Sequence, residues 1–231
     1  MLEAPATCQL ITGILTQLKC SANAVDLGLQ NIATCARLTS LHLSGAAESV
    51  HLTQNLHNIQ QLVNLQVMHL ENFLTLPDNL LCYNLPKLQV LILKDGQVDT
   101  YDLSGATQLT ALDVFQMEEP STLRRLILPS DNAVQLQSLS LLFHGQDAPE
   151  EQQLHELLNL EAATGLQTLE FVSFYPHSLH EAGWPQAMPS LTSLAVSSMP
   201  VGPPREWQNY SALVKLELTD LHGTSLPDWF A

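Results

Sequence analysis

Short runs of alternating apolar and polar residues recur along the whole chain. In "LQVLIL" (88–93) one residue separates Leu91 from Leu93, and Leu88 stands three positions before Leu91. Alternate side chains of a β-strand point to opposite faces. The pattern therefore predicts a strand that buries Leu91 and Leu93, while Leu88 enters the same core from the preceding turn.

The same pattern, with Leu, Val, Phe or Cys at its last position, occurs in nine segments spaced 21 to 30 residues apart. The nine segments are 15–20, 38–43, 62–67, 88–93, 109–114, 136–141, 166–171, 191–196 and 213–218. A single repeat of this length cannot bury its own leucines, but stacked repeats bury them against each other. Residues 1–231 are therefore predicted to form one α/β solenoid domain of about nine coils. A parallel sheet would line its concave side, with helical and extended returns on its convex side.

The segments between the strands differ in character. Apolar residues at helical spacing predict helical returns in 50–65 and 147–165, and 147–165 also has cap residues at both ends. Prolines in 197–212 predict an extended return. The extra match 123–128 follows Leu112 too closely to close a full coil, so it is predicted to lie on the convex side as a short antiparallel strand. A local break in the solenoid is the alternative.

The nine segments resemble those of the leucine-rich repeat superfamily. That family usually carries an asparagine three residues after the last motif leucine. From the second segment onwards, the corresponding residues here are Ala46, Leu70, Gly96, Met117, His144, Phe174, Met199 and Leu221. This departure resembles irregular plant and green-algal repeats. Segment 76–93 is similar to repeats of plant nucleotide-binding receptors, and "LHGTSLPDWF" (221–230) is similar to their G-T-x-x-P-x-W segment. The resemblance implies the recognition part of an immune receptor in plant defence signalling, or of an F-box ubiquitin-ligase adaptor.

Charge and composition narrow the function classes. The net charge is −15 with only 8 Lys and Arg residues, which argues against a surface that follows nucleic-acid phosphates. The sequence has no apolar run near the roughly 20 residues of a membrane span. The N-terminus lacks the basic residues of a signal peptide, so we predict a cytoplasmic protein. Cys8, Cys20 and the sequon at Asn209 keep an extracellular receptor domain as the alternative, with a Cys8–Cys20 bridge.

Catalytic motifs are lacking in the sequence. It contains neither a phosphate-binding glycine loop nor a G-x-S-x-G or H-E-x-x-H motif. His177 and His180 are three residues apart, but they follow Pro176 and are interpreted as exposed loop residues. We predict a non-enzymatic protein with no metal and no cofactor. An enzyme accessory domain with a carboxylate or histidine site is the competing class.

The outward positions of the predicted strands indicate a binding surface. An apolar stripe is predicted from Met68, Ile92, Phe115, Leu142 and Val172. Asp113, Glu170 and Glu217 are predicted at outward positions beside it. An exposed apolar patch with a polar rim is typical of a protein-binding surface, so we predict a protein partner on the concave face. Two alternatives remain open: a loop or flanking domain covers the stripe, or the strand register is shifted.

The last predicted coil lacks a polar cap. Leu226, Trp229 and Phe230 stand close to Ala231, whereas the terminal coils of repeat arrays normally have a polar outer face. Two interpretations follow. The chain is a fragment of a longer array, able to self-associate through its open end, or Trp229 and Phe230 fold back over the last coil.

Overall fold

A computed structural model describes the repeated strands and parts of the segments between them. The described residues are 14–21, 29–44, 56–72, 85–96, 100–103, 105–116, 125–128, 135–143, 160, 163–173, 184–197, 203–220 and 228. The statements below concern these residues alone.

Each predicted repeat contributes one short strand, and two further strands lie between repeats. The strands are β1 (Gln17–Ser21), β2 (Ser40–Ser44), β3 (Val67–Glu71), β4 (Val90–Lys94), β5 (Thr100–Asp102), β6 (Ala111–Gln116), β7 (Arg125–Ile127), β8 (Ser138–Phe143), β9 (Thr168–Ser173), β10 (Ser193–Ser197) and β11 (Lys215–Thr219).

Nine of these strands form one parallel sheet. Its order is β1-β2-β3-β4-β6-β8-β9-β10-β11, so successive repeats lie side by side. The strands pair in register, as when Leu91 of β4 pairs with Leu112 of β6. Leu91, Leu112 and Leu139 are inaccessible to solvent. The predicted solenoid with a parallel sheet is confirmed.

The described parts of the returns contain little helix. They include α1 (Leu56–Ile59) and two 3-10 turns, Leu29–Thr34 and Arg205–Asn209. The turn Arg205–Asn209 lies in the return predicted to be extended, and it brings Trp207 into the core. Most of the helix predicted over 147–165 lies outside the described residues, as do residues 50–55 of the helix predicted over 50–65.

The third repeat begins three residues later than predicted. Met68, not Leu65, pairs with Leu41 and with Leu91, and Met68 is fully buried. Leu65 is the first residue of the motif and is buried in the turn before β3. The prediction that Met68 lies on the outer face is therefore wrong. A repeat L-x-x-M-x-L formed by Leu65, Met68 and Leu70 was missed because methionine stands where the pattern requires leucine.

The correct register is supported by a sequence feature. "LQVMHL" (65–70) aligns with "LQVLIL" (88–93) and shares four of its six residues, including the glutamine after the first leucine. In several other repeats this second position is a threonine. The hydroxyls of Thr39, Thr110 and Thr192 each donate to a backbone carbonyl of the preceding repeat at 3.1 Å. The second position thus links neighbouring coils along part of the solenoid.

Segment 123–128 contributes to a second sheet. Its strand β7 pairs with β5 in a two-stranded sheet, with Tyr101 opposite Leu126. The pairing is parallel, so the prediction of an antiparallel strand is wrong, although the segment does lie outside the main sheet as predicted. Both Tyr101 and Leu126 are buried in the hydrophobic core. The coils around β5 and β7 therefore bury apolar residues from two sheets.

Two tyrosines of the core differ in the hydrogen bonding of their hydroxyl groups. The Tyr210 hydroxyl donates to the carbonyl oxygen of Pro185 at 3.0 Å. The Tyr101 hydroxyl is buried and has no hydrogen-bond partner among the described residues, and burial, followed by the charge of Asp95, raises the pKa of Tyr101. We expect Tyr210→Phe to lower the free energy of unfolding by about 1 kcal/mol and Tyr101→Phe to leave it unchanged or raise it. Urea unfolding of both variants measures the difference. An equal loss in the two variants would contradict it.

Candidate functional site

Two rows of side chains run across the strands on the face opposite the core. The first row contains the residue between the two inward residues of each main-sheet strand from β2 onwards: His42, His69, Ile92, Asp113, Ser140, Glu170, Ala195 and Glu217. The second row contains the residue two positions later: Ser44, Glu71, Lys94, Phe115, Leu142, Val172, Ser197 and Thr219. Neighbouring strands lie about 4.8 Å apart, so neighbouring members of a row are close enough to touch.

The centre of the second row is apolar. Phe115 pairs with Leu142, which pairs with Val172 on the next strand. All three side chains are half-buried, in contrast to the solvent-inaccessible leucines on the core face. We call these three residues the apolar row. Ile92 is also half-buried and outward, but it lies in the first row, beside Asp113.

An acidic group lies directly beside the apolar row. Asp113 and Glu170 occupy the first row on either side of Ser140, whose hydroxyl donates to Oε2 of Glu170 at 2.8 Å. Burial raises the pKa of Asp113, and the charge of Glu170 raises it further, whereas Lys94 lowers it. A cation placed over Asp113 would favour the ionised form of its carboxyl group. We call Asp113, Ser140 and Glu170 the acidic row.

The face changes character towards its first strands. The Lys94 ammonium lies 5.5 Å from the ring centroid of Phe115, within the range of a cation–π contact, and marks the edge of the apolar row. Beyond Lys94, the rings of His42 and His69 lie 4.0 Å apart between centroids. Glu71 stands in the second row next to them, with its Oε2 3.7 Å from Nε2 of His42.

The predicted stripe is thus brought together in part. Phe115, Leu142 and Val172 are contiguous, Ile92 lies diagonally beside them, and Met68 belongs to the core. Asp113 and Glu170 are near neighbours, whereas Glu217 lies two strands beyond Glu170 and forms an exposed ion pair with Lys215 at 2.9 Å.

The group of His42, His69 and Glu71 was not predicted from the sequence. The shifted register placed Gln66 in the first row, where the structure has His69. Aligning "LQVMHLE" with "LQVLILK" would have placed His69 and Glu71 on the outer face. The histidines that were considered, His177 and His180, lie outside the described residues, as does Cys8 of the alternative disulfide.

The described helices are short. None of them is long and apolar enough to cross a membrane.

Comparison with solved structures identifies the fold. A leucine-rich repeat protein from Leptospira interrogans superposes with a TM-score of 0.57 at 19% identity, covering 99% of this chain and 61% of that chain. This chain therefore spans about three fifths of the Leptospira protein and has the fold of leucine-rich repeat proteins. Weaker likenesses, with TM-scores of 0.32 and 0.26, are to TLR13 in a complex with ssRNA13 and to a domain of InlJ from Listeria monocytogenes. No protein-family model matches the chain, and no curated protein matches it.

Proposed function

We propose that this protein is a non-enzymatic scaffold that binds a protein partner on the outer face of its main sheet. The observation that carries the proposal is the apolar row of Phe115, Leu142 and Val172, half-buried and aligned on three adjacent strands. A few side chains near the centre of a protein interface supply most of its binding energy. A polar surround excludes water from them.

The charges beside the apolar row indicate the chemistry of the partner. Asp113 and Glu170 lie one row away, and the carboxyl of Asp113 is held at a raised pKa by burial and by Glu170. A partner with an apolar side chain flanked by lysine or arginine would fill the apolar row and relieve this repulsion. The net charge of −15 would also speed the approach of a basic partner.

The same carboxylates fit binding better than catalysis. Ser140 lies between Asp113 and Glu170, and its hydroxyl donates to Glu170, so these three side chains form one continuous polar row. General acid–base catalysis needs a group within hydrogen-bond reach of a reacting atom, in a site that excludes water. A row along a sheet face offers an extended contact surface. We therefore assign the acidic row to partner recognition.

Within this proposal, the scaffold is the recognition part of a larger cytoplasmic receptor or ubiquitin-ligase adaptor. The support is the resemblance of 76–93 and 221–230 to repeats of plant nucleotide-binding receptors. The described part of the first segment, 85–93, forms the turn and strand expected of such a repeat. Co-purification of this protein with a signalling or ubiquitin-ligase subunit from its native source tests this narrower assignment separately.

A double substitution in the apolar row tests the binding face. Partners cross-linked to the native protein are first identified and purified, and their affinity for purified variants is then measured. We expect Phe115→Asp with Leu142→Asp to weaken binding at least ~30-fold, since residues at the centre of an interface contribute about 2 kcal/mol or more each. The melting temperature should change little, because both side chains point away from the core.

Thr219→Asp is the matched control. Thr219 stands in the same row but at its exposed far end, so the variant adds one negative charge outside the apolar row and should bind normally. Unchanged binding by the double variant would place the site elsewhere. A large loss of stability would show instead that Phe115 and Leu142 are covered by another part of the protein.

A further inference from the structure

A second group of side chains on the outer face has a different chemistry. His42 and His69 occupy equivalent positions on β2 and β3, and Glu71 follows His69 by two residues on the same face. One ligand atom from each residue can be chosen so that all three lie within 4.8 Å of one another. Glu71 Oε2 and His42 Nε2 are 3.7 Å apart.

One ring nitrogen of each imidazole, Nε2, lacks a hydrogen bond within the part of the chain that the structure describes. Nε2 of His42 and Nε2 of His69 are both shielded from solvent and have no hydrogen-bond partner among the described residues. Buried polar atoms are nearly always paired with protein, water or an ion. Two shielded nitrogens beside one carboxylate therefore point to a ligand that accepts their lone pairs.

The surroundings of His69 favour the uncharged form of its ring. Burial lowers the pKa of His69, and His42, Lys94 and Lys19 lower it further, while only Glu71 raises it. A neutral imidazole is the form that binds a metal ion.

The three ligand atoms favour one class of metal ion. Two imidazole nitrogens and one carboxylate oxygen suit zinc and related transition metals, whereas Ca²⁺ and Mg²⁺ prefer oxygen ligands alone. Ligand atoms around a tetrahedral Zn²⁺ with bonds near 2.0–2.1 Å lie about 3.4 Å apart. The separation of 3.7 Å between His42 and Glu71 is close to that value, and small side-chain rotations can draw in the third ligand.

We propose that His42, His69 and Glu71 bind one divalent transition-metal ion of the zinc class on the outer face of β2 and β3. Three protein ligands leave at least one coordination position open to water or to a side chain of a bound molecule. The ion would link two neighbouring coils and place a positive charge at the end of the face opposite Glu217. This site is independent of the apolar row.

Calorimetric titration of chelator-treated full-length protein with ZnCl₂ tests the site. We expect the native chain to bind one zinc ion and the double variant His42→Gln/His69→Gln to bind none. Glu71→Gln should weaken zinc binding at least ~10-fold. Loss of a group that only hydrogen-bonds to a metal ligand weakens metal sites about 10–100-fold. MgCl₂ should give no binding heat. Glu206→Gln removes a carboxylate from the return at 205–209, outside this group, and should bind zinc normally.

Nuclear magnetic resonance adds a readout that does not depend on heat. Zinc should shift the imidazole signals of two histidines in the native chain, and lowering the pH should release the ion as protons compete for the rings. The facing groups that set this competition are Lys19, Glu71 and Lys94. Circular dichroism establishes that the variants are folded. Zinc binding that survives in the folded double variant, or no stoichiometric zinc binding by the native chain, would overturn the proposal.

Discussion

Replacing Met68 with alanine is expected to lower the free energy of unfolding by about 2–5 kcal/mol, the range for truncating a long buried side chain. Met68 is fully buried and stands in the inward row of the sheet between Leu41 and Leu91. The strands on both sides pair with β3 and limit its movement, so the cavity cannot collapse easily. The loss should be large for a single substitution in a repeat protein.

Val67→Ala is the matched control for this experiment. Val67 precedes Met68 in β3 but is only half-buried, so its truncation should change the free energy of unfolding by less than about 1 kcal/mol. Urea unfolding followed by far-ultraviolet circular dichroism measures both variants. If Val67→Ala proved the more damaging, the strand would have the other register, with Val67 in the core and Met68 on the outer face.

Truncating Trp207 to alanine is expected to remove about 3–5 kcal/mol from the free energy of unfolding. Trp207 is 3% exposed and packs edge-to-face against Trp184, with ring centroids 5.0 Å apart. Such pairs contribute about 0.5–1.5 kcal/mol beyond the area they bury. The two rings lie in the returns of neighbouring coils and contact each other. The substitution therefore removes a contact between two coils and also leaves a cavity in the core of one coil.

The expected damage in Trp207→Ala is local. Hydrogen exchange should show faster opening of β10 and β11, while β2 and β3 keep their protection. Val214→Ala is the control, since Val214 is 88% exposed and its loss should change stability by no more than about 0.5 kcal/mol. Equal acceleration of exchange in all strands would show that the solenoid opens as one unit, contrary to this expectation.

Leucine spacing was sufficient to predict the parallel sheet, because each repeat must bury the same positions as its neighbours. It failed at β3, where Met68 fills the place of a leucine and two patterns compete within "LVNLQVMHL" (62–70). A similar limit applies to the second sheet. Periodicity identified 123–128 as an extra apolar segment, but the direction of β7 depends on its pairing with β5, which no local pattern contains.

The outer face was harder to predict than the core. An inward residue is recognisable because the core accepts mainly apolar side chains. Outward positions accept side chains of different chemistry, as shown by Lys19, His42, Ile92 and Asp113. The apolar row followed from correct registers at β6, β8 and β9. The histidine group did not, since a three-residue error at one strand moved His69 and Glu71 out of the predicted rows.

The in-register pairing of neighbouring strands also has a consequence for how the chain folds. Each interior strand of the main sheet pairs with the repeat before it and the repeat after it, so the contacts that define the sheet link residues about one repeat apart. Little loop-closure entropy is lost when one coil docks on the next, and the growing stack offers the same edge at every step. Folding is therefore expected to start at any well-packed pair of coils and to spread outwards along the array by the addition of one coil at a time.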